Sequence, residues 1–147
     1  MRMSVRHIVV IVLAGGLIAG CGDERDRDAG TSSKAEEAQV RAVAEGFTSA
    51  GLRGDYKRAC SLTTSEAKAA LSSASATVGA KGGGCAEVLE AIFDQYDDAA
   101  KAQLRRYEVT AVQVTGETAV YTDSTGDRSH ARKQSGQWLI DSDPPEQ

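Results

Sequence analysis

"RYEVTAVQVTGETAVYTDSTGDRSHARKQSGQWLIDSD", residues 106–143, is the stretch whose reading decides the fold. Val, Thr and Tyr, which suit a pleated, half-buried surface, are frequent in its first half. Turn formers at Thr115-Gly116, Thr125-Gly126-Asp127 and Ser135-Gly136 divide it into RYEVTAVQVT, ETAVYTDS, RSHARKQS and QWLIDSD. That pattern predicts a four-stranded meander, and connections this short make neighbouring strands antiparallel. The third segment is polar on both faces, so at least one of them meets water. Pro144-Pro145 ends the domain.

Upstream of the strands the apolar period changes to that of a helix. Ser33 and Glu36 have capping-box spacing, and Val40, Val43, Phe47 and Ala50 then share one face, with Glu37 set four residues before Arg41. Gly51 and Gly54 are expected to stop this helix. A short helix in DYKRACSLTT places Tyr56, Ala59 and Cys60 on one side, and Thr63 with Glu66 predicts a second capping box starting EAKAALSSA. Residues 72–84 lack a pattern and read as a surface loop. Lys81-Gly82-Gly83-Gly84 is no phosphate loop, because no GK[ST] follows and no strand precedes it. The stripe Cys85, Val88, Leu89, Ile92 and Tyr96 is the clearest helical signal in the chain.

The N-terminus reads as an address. Arg2 and Arg6 precede an uncharged apolar run at residues 8–19, the layout of a secretory signal peptide. The run is shorter than the roughly 20 residues a spanning helix needs, and Gly15 and Gly16 interrupt it. Ile18-Ala19-Gly20-Cys21 matches the bacterial lipobox, in which the Cys thiol is diacylglycerylated and the peptide is cut before it. Residues 1–20 are therefore expected to be a lipoprotein signal peptide, 21–32 a lipidated Cys21 and flexible tether, and 33–147 a single α+β domain. The expected location is the extracytoplasmic side of a cell membrane, with Cys21 as lipid anchor.

Loss of the first 20 residues would take the formal charge from −4 to −6. An acidic chain with few aromatics and no basic patch does not suit nucleic acid. Export would leave Cys60 and Cys85 in an oxidising compartment, and an even remainder of two predicts a disulfide between them. The two thiols lack the CxxC or His spacing of a zinc site. The chain contains no Asn, and Arg outnumbers Lys eleven to six, a bias that a G+C-rich genome produces.

The first helix around Val40 to Ala50, the Gly54-Asp55-Tyr56 turn, the Ala59-Cys60-Ser61-Leu62 helix and the Gly136-Gln137-Trp138-Leu139-Ile140-Asp141 strand together resemble the nuclear transport factor 2 superfamily. That superfamily includes SnoaL-type and ketosteroid-isomerase-type proteins, and the resemblance covers roughly residues 35–142. It implies N-terminal helices packed on a curved antiparallel four-stranded meander that forms a cone, often dimerising through the sheet. With the lipobox and the paired cysteines, the chain looks like the small secreted lipoproteins of actinobacteria built on that cone.

Two functions follow as expectations. In the first, the chain is a non-enzymatic membrane-anchored protein that binds a small apolar ligand or an envelope protein, without cofactor or metal. In the second, it is an isomerase-like enzyme with a Tyr/Asp pair in the cone, for which Tyr107, Tyr121 and Asp123 are the pocket candidates. Such chemistry needs an acid or base in an apolar pocket that shifts its pKa toward neutrality. Asp123 beside Ser-Thr-Gly is also ordinary turn chemistry, and Tyr121 ordinary packing. His130, between Arg128 and Arg132, reads as a solvated edge residue, and Asp94, Asp97 and Asp98 as a solvated helix face rather than a calcium site.

Overall fold

The computed structural model describes residues 25–142. Five helices precede four strands: α1 Arg25–Leu52, α2 Tyr56–Ser61, α3 Ser65–Ala74, α4 Cys85–Asp94 and α5 Asp98–Leu104, then β1 Val109–Thr115, β2 Thr118–Asp123, β3 Arg128–Gln134 and β4 Gln137–Asp141. The expected signal peptide, Cys21 and Pro144-Pro145 lie outside the described residues.

α1 is the spine of the molecule. It starts at Arg25, not at Ser33, so residues 25–32, expected to be an unstructured tether, are helical, and Ser33 lies inside the helix rather than at its cap. The segment contains no proline, and its Arg, Asp and Ala residues are compatible with a helix that is already nucleated downstream. In the first half of the packed region, Val40, Val43 and Ala44 are buried against Val109, Ala119, Tyr121, Ala131 and Trp138 of the strands. In the second half, Ala50 packs with Ala59 and Leu89, and Phe47, Tyr56, Ile92 and the two cysteines close that cluster.

Gly51 does not stop α1; it belongs to its last turn. A Cβ there would run into the Phe93 ring, so the glycine allows close approach of α4. Gly54, with φ at 75°, makes the turn out of the helix in the left-handed region that suits glycine. Asp55 then caps α2, its carboxylate accepting the Arg58 amide at 3.1 Å.

Cys60 and Cys85 are disulfide-bonded with Cα atoms 6.1 Å apart, as expected, joining the end of α2 to the start of α4. Closing a loop with a separation of 25 residues stabilises the fold by about 3.5 kcal/mol in the chain-entropy model. The α4 stripe is buried at Val88 and Leu89, but its last member differs from expectation. Tyr96 lies beyond the helix and is 38% exposed, whereas Phe93 is buried in its place. Helix α5 is separate from α4, and its seven residues are too few to show a periodic stripe in the sequence.

The sheet follows the chain order β1-β2-β3-β4, antiparallel throughout. Its inward row, Val114, Ala119, Ala131 and Ile140 in register, meets α1, and the outer face carries Gln113, His130 and Arg132. The expected cone is not present. β1 and β4 do not pair, the sheet stays open, and the space that a cone would enclose is filled by α1 side chains. A sheet curls where bulges bend its strands, and the one register shift lies between Val109 and Ala111, at the start of the outermost strand. The fold is thus α+β with helices on one side of an open meander.

Lys133 anchors the sheet to the described start of the α1 packing: its ammonium lies 2.7 Å from Glu36 and 5.9 Å from the centroid of the Trp138 ring.

Candidate functional site

Tyr107, Tyr121 and Asp123 come close together but do not form a pocket as a unit. Tyr121 projects inward from β2 opposite Val112 and Ser129 and is 5% exposed. The hydroxyls of Tyr107 and Ser129 both hydrogen-bond its phenol. Burial raises the pKa of Tyr121 although those hydrogen bonds oppose it. Tyr107 is pushed well above the ordinary tyrosine value, first by burial and then by the neighbouring Tyr121 and Asp123. Both phenols therefore stay protonated at neutral pH.

Asp123 turns away to organise the β2–β3 turn. Its carboxylate accepts from the Thr125 amide at 2.8 Å, the Thr125 hydroxyl at 2.6 Å and the Asp127 amide at 3.1 Å. Its slight burial works to raise the pKa, but the donors from Thr125, Asp127 and Gly126 outweigh it and hold the group below its usual value. A general base near neutrality needs the opposite shift. The void beside Tyr107 is an open cleft of about 390 Å³ walled by Glu45, Thr48, Leu52, Arg53, Leu104 and Arg105, polar and apolar in about equal parts.

The remaining candidates are committed elsewhere. His130 is not at an edge, since β3 is an internal strand; it lies half-buried on the outer face, in register with Asp141. Asp94, Asp97 and Asp98 do not share one helix. α4 ends at Asp94, and Asp97 caps α5 by accepting the Ala100 amide at 2.8 Å. Among the described residues no group of three or more His, Cys, Asp or Glu is placed to hold a metal ion, and no helix is long and apolar enough to cross a membrane.

A markedly apolar hollow lies apart from the site residues that the sequence singles out. Between α3, the C-terminal part of α1 and the end of β4 there is a groove of about 340 Å³, lined by Phe47, Ala67, Ala70, Leu71, Ala74 and Ile140. Its width comes from the alanine row of α3, which leaves room where longer side chains would fill it. Its polar end is built by Thr63, Asp141 and Ser142. There Thr64, not Thr63, caps α3: its hydroxyl accepts the Ala67 amide at 3.0 Å and donates to Asp141 at 3.0 Å. Thr63 instead donates to the Cys60 carbonyl at 2.9 Å. Arg132 Nε lies 2.8 Å from the other Asp141 oxygen, so the buried carboxylate is fully engaged. The alanine spacing 67, 70, 74 was legible as helical, but nothing local says that β4 would lie beside it.

No family model matches this chain, and no curated protein or solved structure matches it either. The likeness to the nuclear transport factor 2 superfamily is thereby corrected, since the open sheet lacks the cone and no match supports membership. Nor does any match identify the chain as an actinobacterial lipoprotein.

Proposed function

We propose that this protein is a non-enzymatic binding domain that takes a small apolar molecule into the groove between α3 and β4. The observation that carries the reading is the groove itself: an open apolar trough of about 340 Å³, at the lower end of the size range of small-ligand sites. The commitment of Asp123 to its turn, with its pKa held below the usual carboxylate value, favours this over the isomerase-like alternative.

The test is binding of the fluorescent apolar probe 8-anilinonaphthalene-1-sulfonate, followed by competition with uncharged apolar molecules. Saturable binding by the wild type that Ala70→Phe abolishes, with the circular dichroism unchanged, supports the groove. Binding that survives Ala70→Phe, or no binding at all, overturns it. Ala70 is exposed, so the larger side chain fills the trough without entering the core.

The proposed place of action is the extracytoplasmic face of a membrane, with the chain held there through the Cys21 thiol. The Cys60–Cys85 bond supports an oxidising compartment. Cys21→Ser should move the protein from the membrane fraction and remove incorporation of labelled fatty acid. Equal labelling of mutant and wild type would overturn the anchor.

A further inference from the structure

The two edges of the sheet are finished differently. At β4 the 62–64 segment lies alongside: the Ile140 amide donates to the Leu62 carbonyl at 2.8 Å, and the Thr64 amide donates to the Ile140 carbonyl at 2.9 Å. At β1 no comparable segment among the described residues covers the strand; it pairs with β2 and packs its inner face on α1. The start of β1 is blunted, because the register shift follows Val109 and the Thr110 hydroxyl folds back onto the carbonyls of Thr122 and Asp123 at 3.0 and 3.2 Å. Residues 111–115 (AVQVT) remain regular, with Ala111, Gln113 and Thr115 exposed. They carry no Lys, Glu or Pro, the residues that natural edges use to prevent pairing.

We propose that residues 111–115 of β1 pair with the same segment of a second copy of this chain. An antiparallel pair about a two-fold axis needs a segment that is complementary to itself. The midpoint of 111–115 is Gln113, and placing the axis there sets Val112 against Val114 of the partner copy in both directions. The inward apolar row then continues across the junction, Ala111 faces Thr115, and the two Gln113 amides meet at the axis on the outer face. No charge opposes a like charge in this register. The symmetry also keeps both α1 helices on one side, so the outer faces of the two sheets form one surface. A ladder this short makes a reversible dimer whose population depends on concentration.

Sedimentation equilibrium of the purified full chain over a concentration series tests the pairing. The wild type should shift from the mass of one chain to twice that mass, and Gln113→Lys should hold it at one, because two ammonium groups would meet at the axis. Gln113 is exposed, so the lysine leaves the fold intact, which circular dichroism checks. In a Cys21→Ser background, Gln113→Cys should cross-link under oxidation and Gln137→Cys, at the opposite edge, should not. A single-chain mass at every concentration overturns the proposal. So does a dimer that Gln113→Lys leaves unchanged, or equal cross-linking from both cysteine positions.

Discussion

The Thr64 hydroxyl donates to the Asp141 carboxylate at 3.0 Å across 77 residues of sequence, while its oxygen also accepts the Ala67 amide in the first turn of α3. One side chain thus caps a helix and ties that helix to the last strand. Thr64→Ala removes the cap, at about 0.5–2 kcal/mol, and leaves Asp141 short of a donor in a buried place. A total loss of about 2–3 kcal/mol in urea unfolding is expected. Thr64→Ser should recover most of it, and a double-mutant cycle with Asp141→Asn should show coupling above about 0.5 kcal/mol.

Gly51 has a packing reason that Gly54 lacks. Alanine is the better helix former, so Gly51→Ala would stabilise an isolated helix by about 1 kcal/mol. In this fold its methyl meets the Phe93 ring, and overpacking of this kind costs about 1–3 kcal/mol or more. Net destabilisation is expected, and Phe93→Leu in the Gly51→Ala background should relieve part of it. Thermal unfolding of the two variants beside the wild type reads the sign directly.

Trp138 is buried in the core between α1 and the sheet, and its indole N–H has no hydrogen-bond partner. An unsatisfied buried donor costs about 1–3 kcal/mol. Trp138→Phe removes the donor and keeps a ring for Lys133 to lie over, so stability should change by less than about 1 kcal/mol or rise. Trp138→Ala should instead cost about 3–5 kcal/mol, the usual loss for a large core ring. Equal losses for both variants in chemical unfolding would show that the orphaned donor has no energetic weight.

The depressed pKa of Asp123 gives a pH dependence with a definite sign. Its folded pKa lies below the unfolded value near 3.8, so its stabilising contribution is complete above that value and is lost as pH falls through the folded pKa. Asp123→Asn should be less stable than wild type at neutral pH, with the gap closing as the solution is acidified below about pH 4. Carboxyl NMR titration should place Asp123 below 3.8. A midpoint near neutrality would restore it as a candidate base.

The sequence by itself determined the local elements. The strand segments between Gly116, Gly126 and Gly136, the inward stripe of Val88 and Leu89, and the Cys60–Cys85 pair were all legible, because side-chain period, turn chemistry and cysteine parity act over a few residues or through composition. What only the tertiary structure decided depends on which elements meet. The sheet stays open because α1 fills its inner face and nothing bends β2 to β4, which no strand segment announces. Thr64 displaced Thr63 as the cap because Ile140 and Asp141 hold it in place from the far end of the chain. Phe93 displaced Tyr96 because Gly51 made room for its ring. The apolar groove was illegible for the same reason, since its walls come from α1, α3 and β4, and packing between segments so far apart follows from the assembled shape rather than from any local pattern.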